Sequence, residues 1–158
     1  MWQNRMPIMA SPFSSWHCWD RRSKIPGKEF PGIYAIALSK RDISDQRFSW
    51  KPEVIYIGMT NSVGGIKSRL QQFQSTILGG DAHGGASRVK YKHKKYDKLA
   101  PFLYVAASFT ACDVKSNKPK DLKLMGEVAK QEYDCFAAFA KRFNRLPEFN
   151  DKKRSPKK

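Results

Sequence analysis

Four side chains in this sequence have types and positions that could do chemistry: Tyr34, Tyr56, Arg69 and Glu132. Glu132 falls on an expected apolar helical stripe of Met125, Ala129, Phe136, Phe139 and Phe143. An ionised carboxylate on a core-facing stripe is costly unless it is paired or binds a metal. Two readings follow, an ion pair with a core-edge Lys or Arg, or a metal ligand. Glu127 points off the stripe and is the poorer candidate. Tyr34 and Tyr56 close and open the runs Gly32-Ile33-Tyr34 and Tyr56-Ile57-Gly58. Either alone reads as a core aromatic with a satisfied hydroxyl. A pair on neighbouring strands, flanked by Gly32 and Gly58, is less ordinary, because glycine lets a backbone or ligand come close. Arg69 flanks an apolar stripe, where a snorkelling arginine is the plain reading. Its planar fork also suits two oxygens of one phosphate.

These residues need elements to position them. Residues 33–38, 54–59 and 103–109 are apolar runs rich in β-branched and aromatic types, and read as strands; the first two look buried on both faces. Residues 39–53 form a long polar connection. Over 63–77 the apolar positions Val63, Ile66, Leu70, Phe73 and Ile77 predict an amphipathic helix. Gly79-Gly80 ends it and Gly84-Gly85 continues the loop, with His83 between them. A lone loop histidine is usually just solvated. Asp121 reads as the N-cap of a long final helix, with Pro147 beyond its end. The expected organisation is an arm over 1–30, one domain over 31–150 and a disordered basic tail over 151–158. The arm holds Trp2, Trp16 and Trp19, too many for a plain tail, and should pack on the domain or on a partner subunit.

Thirty Lys and Arg against 14 Asp and Glu leave a net charge of +16 on 158 residues, which favours a polyanionic partner such as nucleic acid. Residues 88–98 interleave Arg88, Lys90, Lys92, Lys94, Lys95 and Lys98 with Tyr91, His93 and Tyr96, a pattern that suits tracking a phosphate backbone or, alternatively, a solvated element. Three scattered cysteines without CxxC spacing argue against a disulfide framework or zinc site and fit a cytoplasmic protein. No apolar run reaches membrane-spanning length, and Arg5 and Pro7 precede no apolar stretch of the signal-peptide kind.

The ordered set Gly32-Ile33-Tyr34, Tyr56-Ile57-Gly58, Arg69 and Glu132 resembles the GIY-YIG nuclease family, over residues 31–144. The resemblance implies an α/β fold, a small and mostly antiparallel three-stranded sheet flanked by helices. It implies hydrolysis of DNA phosphodiesters with one divalent ion per site, Mg2+ or alternatively Mn2+. Glu132 would hold the metal and Arg69 would grip the scissile phosphate, with Lys67 as a second contact. Tyr34 would be the general base and Tyr56 would orient water or phosphate. An unperturbed phenol titrates near pH 10, so cations such as Arg69, the metal or Lys40 would have to lower that value. Asn144 is placed as the family's late asparagine, with Asn150 as the fallback, and His83 as a further site residue.

One departure from the family is informative. Twenty-one residues separate Tyr34 from Tyr56, where about ten are usual in compact relatives. The extra connection carries Lys40, Arg41, Arg47, Trp50 and Lys51. With no second domain to read DNA, this design looks like the small type II restriction endonucleases of the family. They would act as homodimers on double-stranded DNA, with Lys40, Arg41 and the 88–98 cations on the backbone. The alternatives are a repair, recombination or mobile-element nuclease, and a DNA-binding protein that kept the fold without turnover.

Overall fold

The computed structural model describes residues 10–157. Its centre is one antiparallel sheet of β1 (His17–Cys18), β2 (Gly32–Leu38), β3 (Val54–Thr60) and β4 (Leu103–Phe109), in the order β1-β4-β2-β3. The sheet thus has four strands rather than the expected three. The fourth is a two-residue edge piece from the arm, too short and too polar to read as a strand in sequence. Helices cover both faces: α1 (Gly65–Ile77), α2 (Gly84–His93) and the one-turn α3 (Tyr96–Leu99), then α4 (Pro119–Phe143) after β4. The class is α/β. Among the described residues no helix is long and apolar enough to cross a membrane.

β2 is apolar at every position after its glycine because it is the inner strand between β3 and β4 and is covered on both faces. On one face Tyr34, Ile36, Val105 and Ala107 pack under Ile66, Leu70, Phe73 and Ile77 of α1. On the other, Ile33, Ala35, Ala37 and Ala106 meet Val128, Cys135 and Phe139 of α4. The arm belongs to its own domain over its described part. Trp16 and Trp19 are fully buried, and the Trp19 indole N–H donates to Gln74 Oε1 at 2.6 Å. Trp2, Arg5 and Pro7 lie outside the described residues. The long connection is pinned as well: Phe48 stacks on Phe13 at 4.0 Å, and Trp50 packs edge-on against Phe139.

Several local expectations are corrected. Gly84-Gly85 do not extend a loop but open α2. Asp121 is not the N-cap of α4. That helix begins at Pro119 after Lys118, with proline at a position whose missing N–H is harmless, and Asp121 Oδ1 accepts from the Asp113 N–H instead. Its buried stripe is Leu124, Val128, Cys135 and Phe139, so Ala129 is exposed and Glu132 lies half-buried at the margin. The tail folds back as a turn through Lys157: Ser155 is buried, its hydroxyl donates to the Asp151 carbonyl, and its own carbonyl accepts from Arg88.

Two features of the β2–β3 pair aim the tyrosines. Pairing runs Tyr34 opposite Gly58 and Ile36 opposite Tyr56, then jumps to Ala37 opposite Val54, leaving Ile55 as a bulge. Opposed residues share a face, so Tyr34 and Tyr56 point to the α1 side together, with ring centroids 6.1 Å apart. Gly58 makes the space, since a Cβ there would lie 2.3 Å from Cζ of Tyr34. Gly58→Ala should therefore destabilise the protein by about 2 kcal/mol, as overpacked cores do. A urea midpoint unchanged from the parent would contradict this packing.

Candidate functional site

Tyr34 is fully buried, and its hydroxyl lies 2.7 Å from Nε2 of His83. His83 is fully buried too, not solvated, and it is the N-cap of α2. Its backbone N–H donates to Thr76 Oγ1 at 3.0 Å, and its Nδ1 accepts the Ala86 N–H at 3.2 Å. That second bond fixes the tautomer. Burial, followed by the charge of Arg69, lowers the His83 pKa to about 3, so the ring is neutral at ordinary pH. A neutral ring that accepts at Nδ1 carries its proton on Nε2. His83 therefore donates to the Tyr34 oxygen and cannot take the Tyr34 proton.

The ring is held on all sides. Phe73, Tyr56 and Tyr34 lie 5.1, 5.4 and 6.2 Å from it, centroid to centroid. Arg69, Phe73 and Thr76 fall at helical spacing on α1, which brings the guanidinium, the aromatic wall and the His83 anchor to one face. Gly85 admits the Tyr56 ring, because a Cβ there would lie 2.5 Å from it.

The charges around this pair pull in both directions. Burial pushes Tyr34 well above the usual phenol range, and the neighbouring Tyr56 and Glu132 add to the rise, while Arg69 opposes it. Tyr56 is raised for the same main reason, with Arg69 and Arg88 lowering it and Glu132 raising it. Burial also raises Glu132, which makes no hydrogen bond or ion pair among the described residues. Tyr34, Tyr56, Arg69, His83 and Glu132 thus form one electrostatic cluster. The phenol is held protonated rather than activated, against the expectation of a lowered value, because desolvation outweighs the single nearby guanidinium.

Other candidates fall elsewhere. Asn144 is exposed in the left-handed conformation that ends α4, at φ 56°, and serves as its cap. Asn150 is the asparagine near the tyrosines: its amide both accepts from and donates to the Ile57 backbone at 2.8 Å, one residue past Tyr56. Lys67 is exposed and faces Asp20 and Lys28 rather than the cluster. Lys40 lines a separate cavity with His17 and Arg21, and Arg41 pairs with Glu53. Of the 88–98 cations, Lys90 caps the Gly80 carbonyl, Lys92 pairs with Glu148, Lys94 lies over the Tyr91 ring, and Lys95 is exposed.

Sequence reasoning passed over Thr76 and Gln72. Gln72 Oε1 accepts from Arg69 Nη1 at 2.5 Å and holds the guanidinium. The signal for both was their spacing from Arg69 along α1. Among the described residues no group of three or more His, Cys, Asp or Glu converges, so the chain alone offers no closed metal cage. No family model, curated protein or solved structure matches this chain. The site must be read from its own geometry.

A buried histidine that refuses a proton makes stability depend on pH. Between pH 6.5 and about 3 the unfolded chain binds a proton at His83 that the folded chain does not. Stability is therefore full above pH 6.5 and is lost as pH falls through that window. His83→Asn keeps an acceptor for the cap but does not titrate. Relative to this variant, the parent should lose up to about 1.4 kcal/mol per pH unit on acidification, measured by urea unfolding. Parallel stability curves for the two proteins would contradict a neutral buried His83.

Proposed function

We propose that this chain is a metal-dependent DNA endonuclease of the GIY-YIG kind, most like a type II restriction enzyme working as a homodimer. The observation that carries the reading is the convergence of Tyr34, Tyr56, Arg69 and Glu132, four residues from four different elements, on one cluster. Its support includes a half-buried carboxylate with no partner among the described residues, and one guanidinium, Arg69, whose charge reaches both phenols.

A lone Glu132 suits Mg2+. Mg2+ is commonly held by one or two carboxylates, with waters and substrate phosphate completing the shell, which fits a lone Glu132. The ion bound there would neutralise charge on the phosphate and on the leaving oxygen. Arg69 has N–H groups to spare beyond the one given to Gln72, and its fork takes two phosphate oxygens. Tyr34 is fully buried in the free protein, so water must reach its oxygen when substrate binds; its proton then passes to that water, and His83 Nε2–H and Arg69 both favour the phenolate left behind. That phenolate takes a proton from water as the water oxygen bonds to phosphorus. The bond from phosphorus to the leaving sugar oxygen then breaks, and that oxygen is protonated by solvent. Asn150 holds the β3 backbone one residue past Tyr56, and Tyr56 orients the water or phosphate. One cluster cuts one strand, so a double-strand break calls for two copies related by a two-fold axis.

Three variants test the reading on plasmid DNA. Glu132→Ala should slow cleavage by about three orders of magnitude, roughly 4 kcal/mol of barrier, with DNA binding retained. Arg69→Lys should lower turnover far more than affinity, since it keeps charge and loses the fork. Tyr34→Phe should abolish the rise of rate with pH expected of the parent, about tenfold per unit below the phenol pKa. Near-parental cleavage by Glu132→Ala in Mg2+ would refute the proposal.

A further inference from the structure

A cavity of about 220 Å³ opens beside Tyr56, on the side away from β2, between the start of α2 and the folded-back tail. Arg88, Lys152 and Lys157 line it, together with Gly84 and Gly85. No carboxylate lines it, whereas three larger cavities carry Asp42 and Asp45, Asp20, or Glu29. Among the described residues none of its three cations makes an ion pair. Three unneutralised cations around one hollow repel one another, which an anion would relieve.

The cavity is built rather than incidental. Arg88 donates to the Ser155 carbonyl, and Ser155 is buried, so the tail is fastened over α2. That fastening brings Lys157 Nζ to 3.4 Å from where a Cβ of Gly84 would be. His83 takes the Ala86 N–H on Nδ1 and the Ser87 N–H on its carbonyl, and among the described residues the first two amides of α2, Gly84 and Gly85, have no capping acceptor. Those two residues border the same hollow as the three cations. The volume is about seven waters at ~30 Å³ each, enough for a phosphate and part of its ester groups.

We infer that this cavity is a second phosphate site, which holds the backbone phosphate next to the one at Arg69 and Glu132. Tyr56 lines the hollow with Arg88 and also feels the charge of Arg69, which links the two sites. The site also accounts for the basic tail, since Lys152 and Lys157 fix the position of the strand and the reacting phosphate is set by its neighbour. The choice of a nucleic-acid phosphate rests on the proposed nuclease reading.

The test uses the full chain, an uncleaved duplex in chelator, and inorganic phosphate as a second probe. Amide nitrogen and proton shifts of Gly84 and Gly85 are followed as each probe is added. Both amides should move with the duplex, and more weakly with inorganic phosphate. Lys152→Ala with Lys157→Ala should weaken duplex binding about tenfold and flatten the slope of log affinity against log salt by about 0.9 for the lost contact. Gly84→Ala should also weaken binding, although it removes no charge, because its methyl enters the hollow beside Lys157. Shifts with inorganic phosphate alone would make this a site for a free anion only and overturn the inference, as would glycine amides that move with neither probe. A protein that shows the duplex shifts but cuts no DNA in Mg2+ would sink the nuclease reading and leave the pocket standing. One that cuts while Gly84→Ala binds like the parent would do the opposite.

Discussion

The hydrogen bond between Tyr34 and His83 is the constraint on which the rest of this structure is arranged. Both groups are fully buried, and an unpaired phenol or imidazole at such depth would cost a few kcal/mol. Every neighbouring element makes a concession to the pair. Gly58 gives up a side chain for the Tyr34 ring, and Gly85 gives one up for Tyr56. α1 supplies Thr76 to hold the His83 backbone and Phe73 to wall its ring. α2 begins where it does because His83 caps it. A polar pair with a partner on the phenol oxygen and on each ring nitrogen stiffens the core around it, and the flanking candidate residues inherit that order.

The electrostatics follow from the same burial. Desolvation keeps His83 neutral and Tyr34 protonated, and it raises Glu132, so the cluster resists charge in the free protein. Arg69 is the cation that opposes this at both phenols. The cluster thus holds one guanidinium with N–H groups to spare, one carboxylate without a partner among the described residues, and a phenol whose oxygen already receives a donor; on the proposed reading these take the phosphate, the metal ion and the attacking water. The chain's net charge of +16 is the sequence-level reason why the proposed reading names a nucleic acid as the polyanion.

Much of the frame was legible in the sequence. The three long strands and α1 announced themselves through continuous apolar runs and a helical spacing of Ile66, Leu70, Phe73 and Ile77. Glycine beside each tyrosine marked close packing, and the structure shows its cause at Gly58. What stayed hidden depends on contacts across long separations. His83 sits in a glycine-rich stretch that looks like a loop, and only Thr76 and Tyr34 make it a buried cap. Asn150 reaches the β3 backbone from beyond α4, while Asn144, better placed by motif spacing, ends the helix. The tail's composition read as disorder, yet one buried serine and Arg88 hold it to the domain.

The most direct test of this arrangement is the tautomer and charge of His83. Nitrogen-15 shifts of its ring can be read by long-range proton–nitrogen correlation between about pH 8 and pH 5, a range that spans the ordinary histidine pKa. A proton on Nε2, a bare Nδ1 and no titration across that range are expected if Ala86 and Tyr34 hold the ring as described. A proton on Nδ1, or a ring that becomes doubly protonated near its ordinary pKa, would contradict it.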